Sequence, residues 1–329
     1  MDPIFEVDDV SVEFNVGAGA FAGGAQKLLA VDRATLRIER GECLAVVGES
    51  GCGKTTLGRT LIGLYKPSRG RLEFDGKDVS ALRGEELRSF RRRVQMVFQD
   101  PHASLNPRMK VGEIVAEPLR VHRVGTAKSR KAAVADLLGR VGLPADAANR
   151  FPHAFSGGQR QRIGIARALA LQPDVIVADE PVSALDVSIQ AQVVNLLKGL
   201  RAQLGLTLVF IAHDLAVVRY IATRIAVMYL GQIVEIGRTE DVFGAPKHPY
   251  TQALLSAVPI PDPDAERMRR RIILKGDLPS PINPPSGCRF HTRCEHCFAP
   301  CLTVEPRLIP AGGQLASCHL YDQALEQAA

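Results

Sequence analysis

Gly48-Glu49-Ser50-Gly51-Cys52-Gly53-Lys54-Thr55, with Thr56 after it, decides how the rest of the chain reads. It fits G-x-x-x-x-G-K-[ST]. It also has the surroundings that motif needs, a strand-like apolar run at residues 43–47 before it and a helical pattern at residues 54–64 after it. Glycine lets the backbone curl so that successive N–H groups face phosphate oxygens, and the helix N-terminus adds favourable partial charge. In such a loop Lys54 neutralises β- and γ-phosphates, and the Thr55 hydroxyl ligates Mg²⁺. Cys52 occupies a variable position that a small filler satisfies.

Outward from this loop, residues 7–14, 35–38, 71–74 and 94–98 read as strands, and residues 16–26 as a Gly/Ala-rich flexible loop. From residue 101 to about 167 the texture turns helical, most clearly at 111–121 and 130–141. Buried strands return at 175–178 and 206–212, separated by a helix over 186–203. This alternation predicts a parallel α/β core interrupted by a helical insertion. The run at 175–178 ends in Asp179-Glu180, at the strand edge where active groups gather in α/β folds. There Asp179 can help hold Mg²⁺ through water, and Glu180 can polarise an attacking water. Gln99 and His213 end two further strands and project at the same edge.

The chain has 329 residues, 46% hydrophobic and 23% charged, enough for about two globular domains. No run approaches the ~18–20 apolar residues that span a bilayer. The opening MDPIFEVDDV lacks the features of a secretory signal, so a cytosolic location is expected. The net charge is +6, with Arg91-Arg92-Arg93 and Arg269-Arg270-Arg271 as basic clusters. Aromatics are only 5% and do not interleave with those clusters, so no nucleic-acid partner is expected. Seven cysteines, an odd number, argue against a disulfide framework in that compartment.

Phe155-Ser156-Gly157-Gly158-Gln159-Arg160-Gln161-Arg162 precedes a helix over 163–171. Ser156 is a good N-cap, and the two glycines leave N–H groups open to an anion. With the loop and the acidic pair in place, this segment resembles the signature motif of ABC ATPases, with Phe155 in place of Leu. The resemblance covers nearly the whole chain. It implies an α/β P-loop ATPase with a RecA-like core, an antiparallel β part and a helical subdomain at about 101–167. The ATPase domain is then 1–257, and 258–329 is a small Cys/Pro-rich C-terminal module. Gln99 looks like the Q-loop glutamine, which also approaches Mg²⁺. Ser183-Ala184-Leu185-Asp186 looks like the D-loop and His213 like the switch histidine. Phe14 is the candidate to stack on adenine, with Phe21 as a rival. In this family two nucleotide-binding units meet head to tail. Lys54, Glu180 and His213 of one would face Ser156, Gly157, Gly158 and Gln159 of the other, so a second ATPase chain is expected.

Residues 98–108, 152–155 and 248–255 resemble the dipeptide, oligopeptide and nickel importer group. Such importers pair two unlike ATPases, which implies a heterodimer. The resemblance further implies two membrane permeases that touch the region after Gln99, and an extracytoplasmic binding protein. It puts the chain peripherally on the cytoplasmic face of the inner membrane. Peptides lead as substrate, with nickel and sugar oligomers as alternatives. A non-transport ABC ATPase would carry coiled-coil or zinc insertions, or two ATPase units, and none is visible. The full catalytic set, Glu180 and His213 included, counts against a regulatory module without turnover. Cys288-x5-Cys294-x6-Cys301 with Cys318 resembles the C-terminal module of these ATPases, some of which bind a [4Fe–4S] cluster. Four thiolates can also hold Zn²⁺, an option that His291, His296 and His319 keep open, or stay free and reduced; Cys297 is a fifth thiol within the pattern.

Overall fold

The computed structural model describes residues 2–16, 26–259, 267 and 271–322. Phe21, most of the Gly/Ala-rich stretch, and Arg269 and Arg270 lie outside them. Strands β1 (Phe5–Val16), β2 (Gln26–Ile38) and β3 (Cys43–Val47) come first, then α1 (Lys54–Leu61). Next are β4 (Arg69–Phe74), β5 (Lys77–Asp78), α2 (Gly84–Arg93) and β6 (Val94–Val97). Four helices follow, α3 (Pro101–Ser104), α4 (Val111–Val121), α5 (Ala127–Arg140) and α6 (Gly157–Leu169). They occupy the interval expected for the insertion. Then come β7 (Val175–Asp179), α7 (Val187–Leu204), β8 (Thr207–Ala212) and α8 (Leu215–Ile221). The chain continues with β9 (Arg224–Tyr229), β10 (Gln232–Arg238), α9 (Thr239–Gly244) and α10 (Pro249–Ser256). Last are α11 (Ala299–Thr303), β11 (Ile309–Ala311) and β12 (Gln314–Ala316).

The strands form two sheets, ordered β2-β1-β4-β5 and β11-β12-β10-β9-β3-β8-β7-β6. The first is antiparallel throughout. In the second, β9, β3, β8, β7 and β6 run parallel. Every residue of β3, β7 and β8 is buried, as parallel strands covered on both faces must be. Along β3, Cys43, Ala45 and Val47 join a core shared with the inserted helices. Leu44 and Val46 face the other core, shared with the antiparallel sheet. The register sets Val47 beside Ala212 and Val227, Asp179 beside Ile211, and Val97 beside Ala178. One sheet edge therefore collects the chain segments that leave β3, β6, β7 and β8.

Some elements differ from the sequence expectation for local reasons. Helix α6 begins at Gly157, before Ile163, because Ser156 and Gln159 close a capping box that draws both glycines into the first turn. Helix α1 stops at Leu61, short of residue 64, since Gly63 takes a positive φ of 70°. Strand β2 starts at Gln26 because it pairs with β1 along its whole length. The β9–β10 hairpin turns on Leu230 and Gly231, both at positive φ, as a two-residue hairpin of this hand requires.

Residues beyond 257 join the same sheet. Strand β12 pairs with β10, Ile236 opposite Leu315. Phe290 is buried among Tyr229, Tyr250 and His248, with ring centroids 5.2, 5.5 and 5.6 Å away. His248 Nδ1 accepts the Tyr250 N–H at 3.1 Å, so the neutral ring caps α10. Burial pushes the imidazole down to about 3 from 6.5. A depressed folded pKa contributes stability above the unfolded value and loses it as pH falls toward the folded one. Stability is therefore expected to fall by roughly 1 kcal/mol between pH 6.5 and 5.5 on this account. His248→Asn keeps an acceptor for the cap and should flatten that slope in urea titrations at the two pH values. Buried Glu235, whose carboxyl is pushed up, acts in the opposite sense but is common to both proteins. Equal slopes would refute the assignment.

Candidate functional site

The loop between β3 and α1 is forced into shape by its neighbours. A Cβ at Gly48 would lie 2.2 Å from the Met228 carbonyl oxygen, and one at Gly53 2.1 Å from that of Ala30. Both glycines sit at positive φ, 150° and 104°. Lys54 is buried, and its Nζ donates to the carbonyls of Gly48 (2.8 Å) and Glu49 (2.9 Å), so it arches back over the loop. Glu49 and Gly53 are half-buried, Ser50 and Gly51 exposed, and Thr55 and Thr56 partly exposed on the first turn of α1. Cys52 is buried beside Lys54 as a core filler. The loop thus offers open N–H groups, a helix N-terminus and one ammonium, which is a receptor for a polyphosphate.

At the end of β7, Asp179 accepts the Thr55 hydroxyl proton at 2.9 Å. Burial raises its pKa and the Thr55 hydrogen bond pulls it down. Glu180 takes φ 43°, rare for a residue with a side chain, and its N–H is tied to Ile211 O at 3.0 Å. That kink turns its carboxylate toward Gln99, whose Nε2 donates to Oε2 at 2.8 Å. His213 Nδ1 stands 3.7 Å from the same oxygen. The structure therefore brings together Thr55 with Asp179, and Gln99 with Glu180 and His213. A carboxylate, an amide and an imidazole thus converge at one point of the sheet edge. Thr55, Asp179 and Gln99 provide the hard oxygen donors that Mg²⁺ prefers.

Ser156 caps α6, accepting the Gln159 N–H at 3.4 Å, while Gln159 Oε1 accepts the Ser156 N–H at 3.0 Å. The Gly157 and Gly158 N–H groups belong to a first turn that has no intrahelical partners. A Cβ at Gly158 would meet Ile189 Cγ2 at 2.3 Å, and one at Gly157 would meet Leu185 Cδ2 at 3.3 Å. The segment thus packs on the 183–186 turn and the start of α7. Asp186 is the exposed N-cap residue of α7, with no side-chain cap bond.

Phe14 is half-buried and stands edge-on to Tyr65 at 5.1 Å, so the candidate adenine platform has a second ring. Tyr65 went unnoticed in the sequence because it falls after α1, outside any motif. Also unforeseen are two partners of Glu49. Its N–H donates to the Tyr250 hydroxyl at 2.8 Å, and its carboxylate receives both terminal nitrogens of Arg293. A pairing 244 residues away in sequence leaves no local signal.

The expected metal site on the C-terminal cysteines finds no support in the geometry. Burial, then the nearness of Cys301, Cys318 and Cys294, pushes the Cys288 thiol up to about 12. Burial raises Cys318 to about 11 and also raises Cys294. Cys288, Cys294, Cys301 and Cys318 therefore converge. Yet among the described residues no group of three or more His, Cys, Asp or Glu side chains could hold a metal ion. The four are free cysteines, Cys301 and Cys318 buried and Cys288 and Cys294 half-buried. His291 Nδ1 contacts Cys288 O at 2.8 Å, and His319 Nε2 contacts Val304 O at 2.8 Å, both on backbone.

Fold and site together define an ATP-binding cassette ATPase. Residues 31–183 match the ABC transporter family model, and residues 234–301 match the model for the oligopeptide/dipeptide transporter C-terminal region. The chain is 53% identical over 324 residues to the putative oligopeptide transport ATP-binding protein YkfD of Bacillus subtilis, covering 98% of this chain and 97% of that one. It is 52% identical over 318 residues to the oligopeptide transport ATP-binding protein OppF of Salmonella typhimurium, covering 96% and 95%. Among solved structures, it resembles the dimeric post-hydrolysis state of the cassette MJ0796 bound to ADP and Pi. The TM-score is 0.63 and the identity 31%, over 71% of this chain and 98% of that one. It also resembles cbiO1 from Clostridium perfringens, part of the transporter complex cbiONQ, with TM-score 0.64 and 28% identity over 74% and 92%. The chain belongs to the ABC transporter ATP-binding family, among its oligopeptide transport ATP-binding proteins.

Proposed function

We propose that this ATPase binds Mg-ATP in the loop at residues 48–56 and uses its hydrolysis to energise import of dipeptides or oligopeptides. The convergence of Gln99, Glu180 and His213 beside the Thr55–Asp179 pair carries the hydrolytic part of the reading. Lys54 neutralises the β- and γ-phosphates, and Phe14 supports the adenine. Glu180 accepts a proton from the attacking water, while Gln99 and His213 hold that water and the terminal phosphate in line. Mg²⁺, when bound through Thr55, Asp179 and Gln99, supplies charge neutralisation between the phosphates. The open N–H groups of Gly157 and Gly158, with Ser156 and Gln159, serve the nucleotide of a second ATPase chain across a head-to-tail interface, and Asp186 lies beside that seam. We take 1–257 as the ATPase domain and 258–329 as a module stitched onto it.

No helix among the described residues is long and apolar enough to cross a membrane. In this reading two permeases hold the chain at the cytoplasmic face and receive peptide from an extracytoplasmic binding protein. The names of relatives 51–53% identical to this chain, all oligopeptide transport ATP-binding proteins, support the peptide reading. A second, unlike ATPase is the preferred partner. A [4Fe–4S] cluster on Cys288, Cys294, Cys301 and Cys318 rests on their convergence alone and needs the sulfurs to shed their protons.

Co-purification from the native membrane tests this. Two permeases, a second ATPase and a peptide-binding protein are the expected companions, and iron and acid-labile sulfide can be assayed in the same anaerobic preparation. Ribosomes or nucleic acid as the sole companions would defeat the transport reading. A nickel- or sugar-binding protein in place of the peptide-binding one would move the substrate.

A further inference from the structure

Glu49 is the one carboxylate inside the phosphate-binding loop. It is gripped from three sides. Its carbonyl accepts Lys54 Nζ at 2.9 Å, its N–H donates to the Tyr250 hydroxyl at 2.8 Å, and its side chain meets Arg293 in a two-point fork at 2.9 and 3.2 Å. The Arg293 side chain is 9% exposed and that of Glu49 27%, so water screens this pair poorly. Parallel double hydrogen bonds between guanidinium and carboxylate fix orientation as well as charge.

Arg293 does not come from the ATPase core. It sits directly before Cys294, in a segment anchored by two further contacts. Phe290 is buried against Tyr229 and Tyr250, and Arg289 bonds Asp32 and the Leu230 carbonyl at the β9–β10 turn. That turn supports the loop directly, since the Gly231 N–H donates to Cys52 O at 2.9 Å. The C-terminal segment therefore reaches the back of the phosphate site along two routes, one through charge and one through backbone.

We propose that Arg293 is a positioning residue of the ATP site. It cancels the Glu49 charge next to the bound phosphates and holds the loop in its receptive shape, which makes nucleotide affinity depend on the C-terminal segment being docked. This rests on the reading of residues 48–56 as the ATP loop. Unpaired, the Glu49 carboxylate repels the polyphosphate and pulls its own backbone toward solvent. The effect falls on binding more than on the chemical step, because Glu180, Gln99 and His213 follow the ends of other strands, β7, β6 and β8.

The test is nucleotide titration and steady-state hydrolysis with the full-length chain, comparing wild type, Arg293→Ala, Glu49→Gln and the double variant. Arg293→Ala should raise Kd and KM for ATP about tenfold or more with kcat held within about twofold. Adding Glu49→Gln to it should recover most of the affinity, because the unpaired charge is then gone. Simple loss of packing would leave the double variant as weak as the single one. Wild-type affinity in Arg293→Ala, or no recovery in the double variant, overturns the proposal. Failure of the wild-type chain itself to bind ATP would instead remove the loop assignment on which it rests.

Discussion

Glu180→Gln lowers steady-state ATP hydrolysis by roughly a hundredfold to ten-thousandfold while ATP still binds. The substitution preserves volume, and an amide oxygen can still accept from Gln99 Nε2, whose bond to the carboxylate is 2.8 Å long. It removes only the capacity to take a proton from water. The backbone kink at φ 43° and the tie to Ile211 O do not depend on the carboxylate, so the fold is expected to hold. With ATP bound and not cleaved, the closed two-chain state should accumulate, because the γ-phosphate supplies the contacts that favour closure. Phosphate release and size-exclusion chromatography with and without ATP check both halves. Near-normal turnover would remove Glu180 from the catalytic position.

Gly48→Ala is expected to cost about 3 kcal/mol or more and to abolish ATP binding. The added methyl would lie 2.2 Å from the Met228 carbonyl oxygen and 2.8 Å from Cys52 Sγ, and the residue would be held at φ 150°. The backbone of β9 cannot move away without unpairing from β3. Gly51→Ala is the control, since it also sits at positive φ, 79°, but meets nothing within 4 Å. It should lose about 1 kcal/mol and keep most of its nucleotide affinity. Urea unfolding and nucleotide titration on both variants decide this. Equal stability of the two would mean that close approach of β9 does not shape the loop.

The parallel core was legible because its strands are buried on both faces. Residues 43–47, 175–178 and 208–212 are unbroken apolar runs, and an unbroken run ending in polar groups has one natural place in an α/β fold. Several candidate site residues could be placed for the same reason, Glu180 and His213 directly following strand ends and Ser156 capping a helix. Helix α4 matched its apolar spacing at both ends, Val111 and Val121. What stayed hidden depends on pairing between distant segments. Strand β2 is mostly polar or half-buried at its start, so only β1 across from it reveals its length. Strands β11 and β12 are three residues each and too short to show a period. The grip of Arg293 on Glu49 and the Phe14–Tyr65 ring pair are tertiary contacts without a local pattern. The cysteine spacing suggested a metal, but spacing does not set how closely four thiols approach or whether burial lets them ionise.

The most direct measurement is ATP hydrolysis by the assembled complex in proteoliposomes, with and without the binding protein loaded with peptide. The account predicts hydrolysis that rises when the loaded binding protein is added, is accompanied by peptide accumulation on the side bearing this ATPase, and disappears in Glu180→Gln. Hydrolysis indifferent to the loaded binding protein, with no peptide movement, would contradict it.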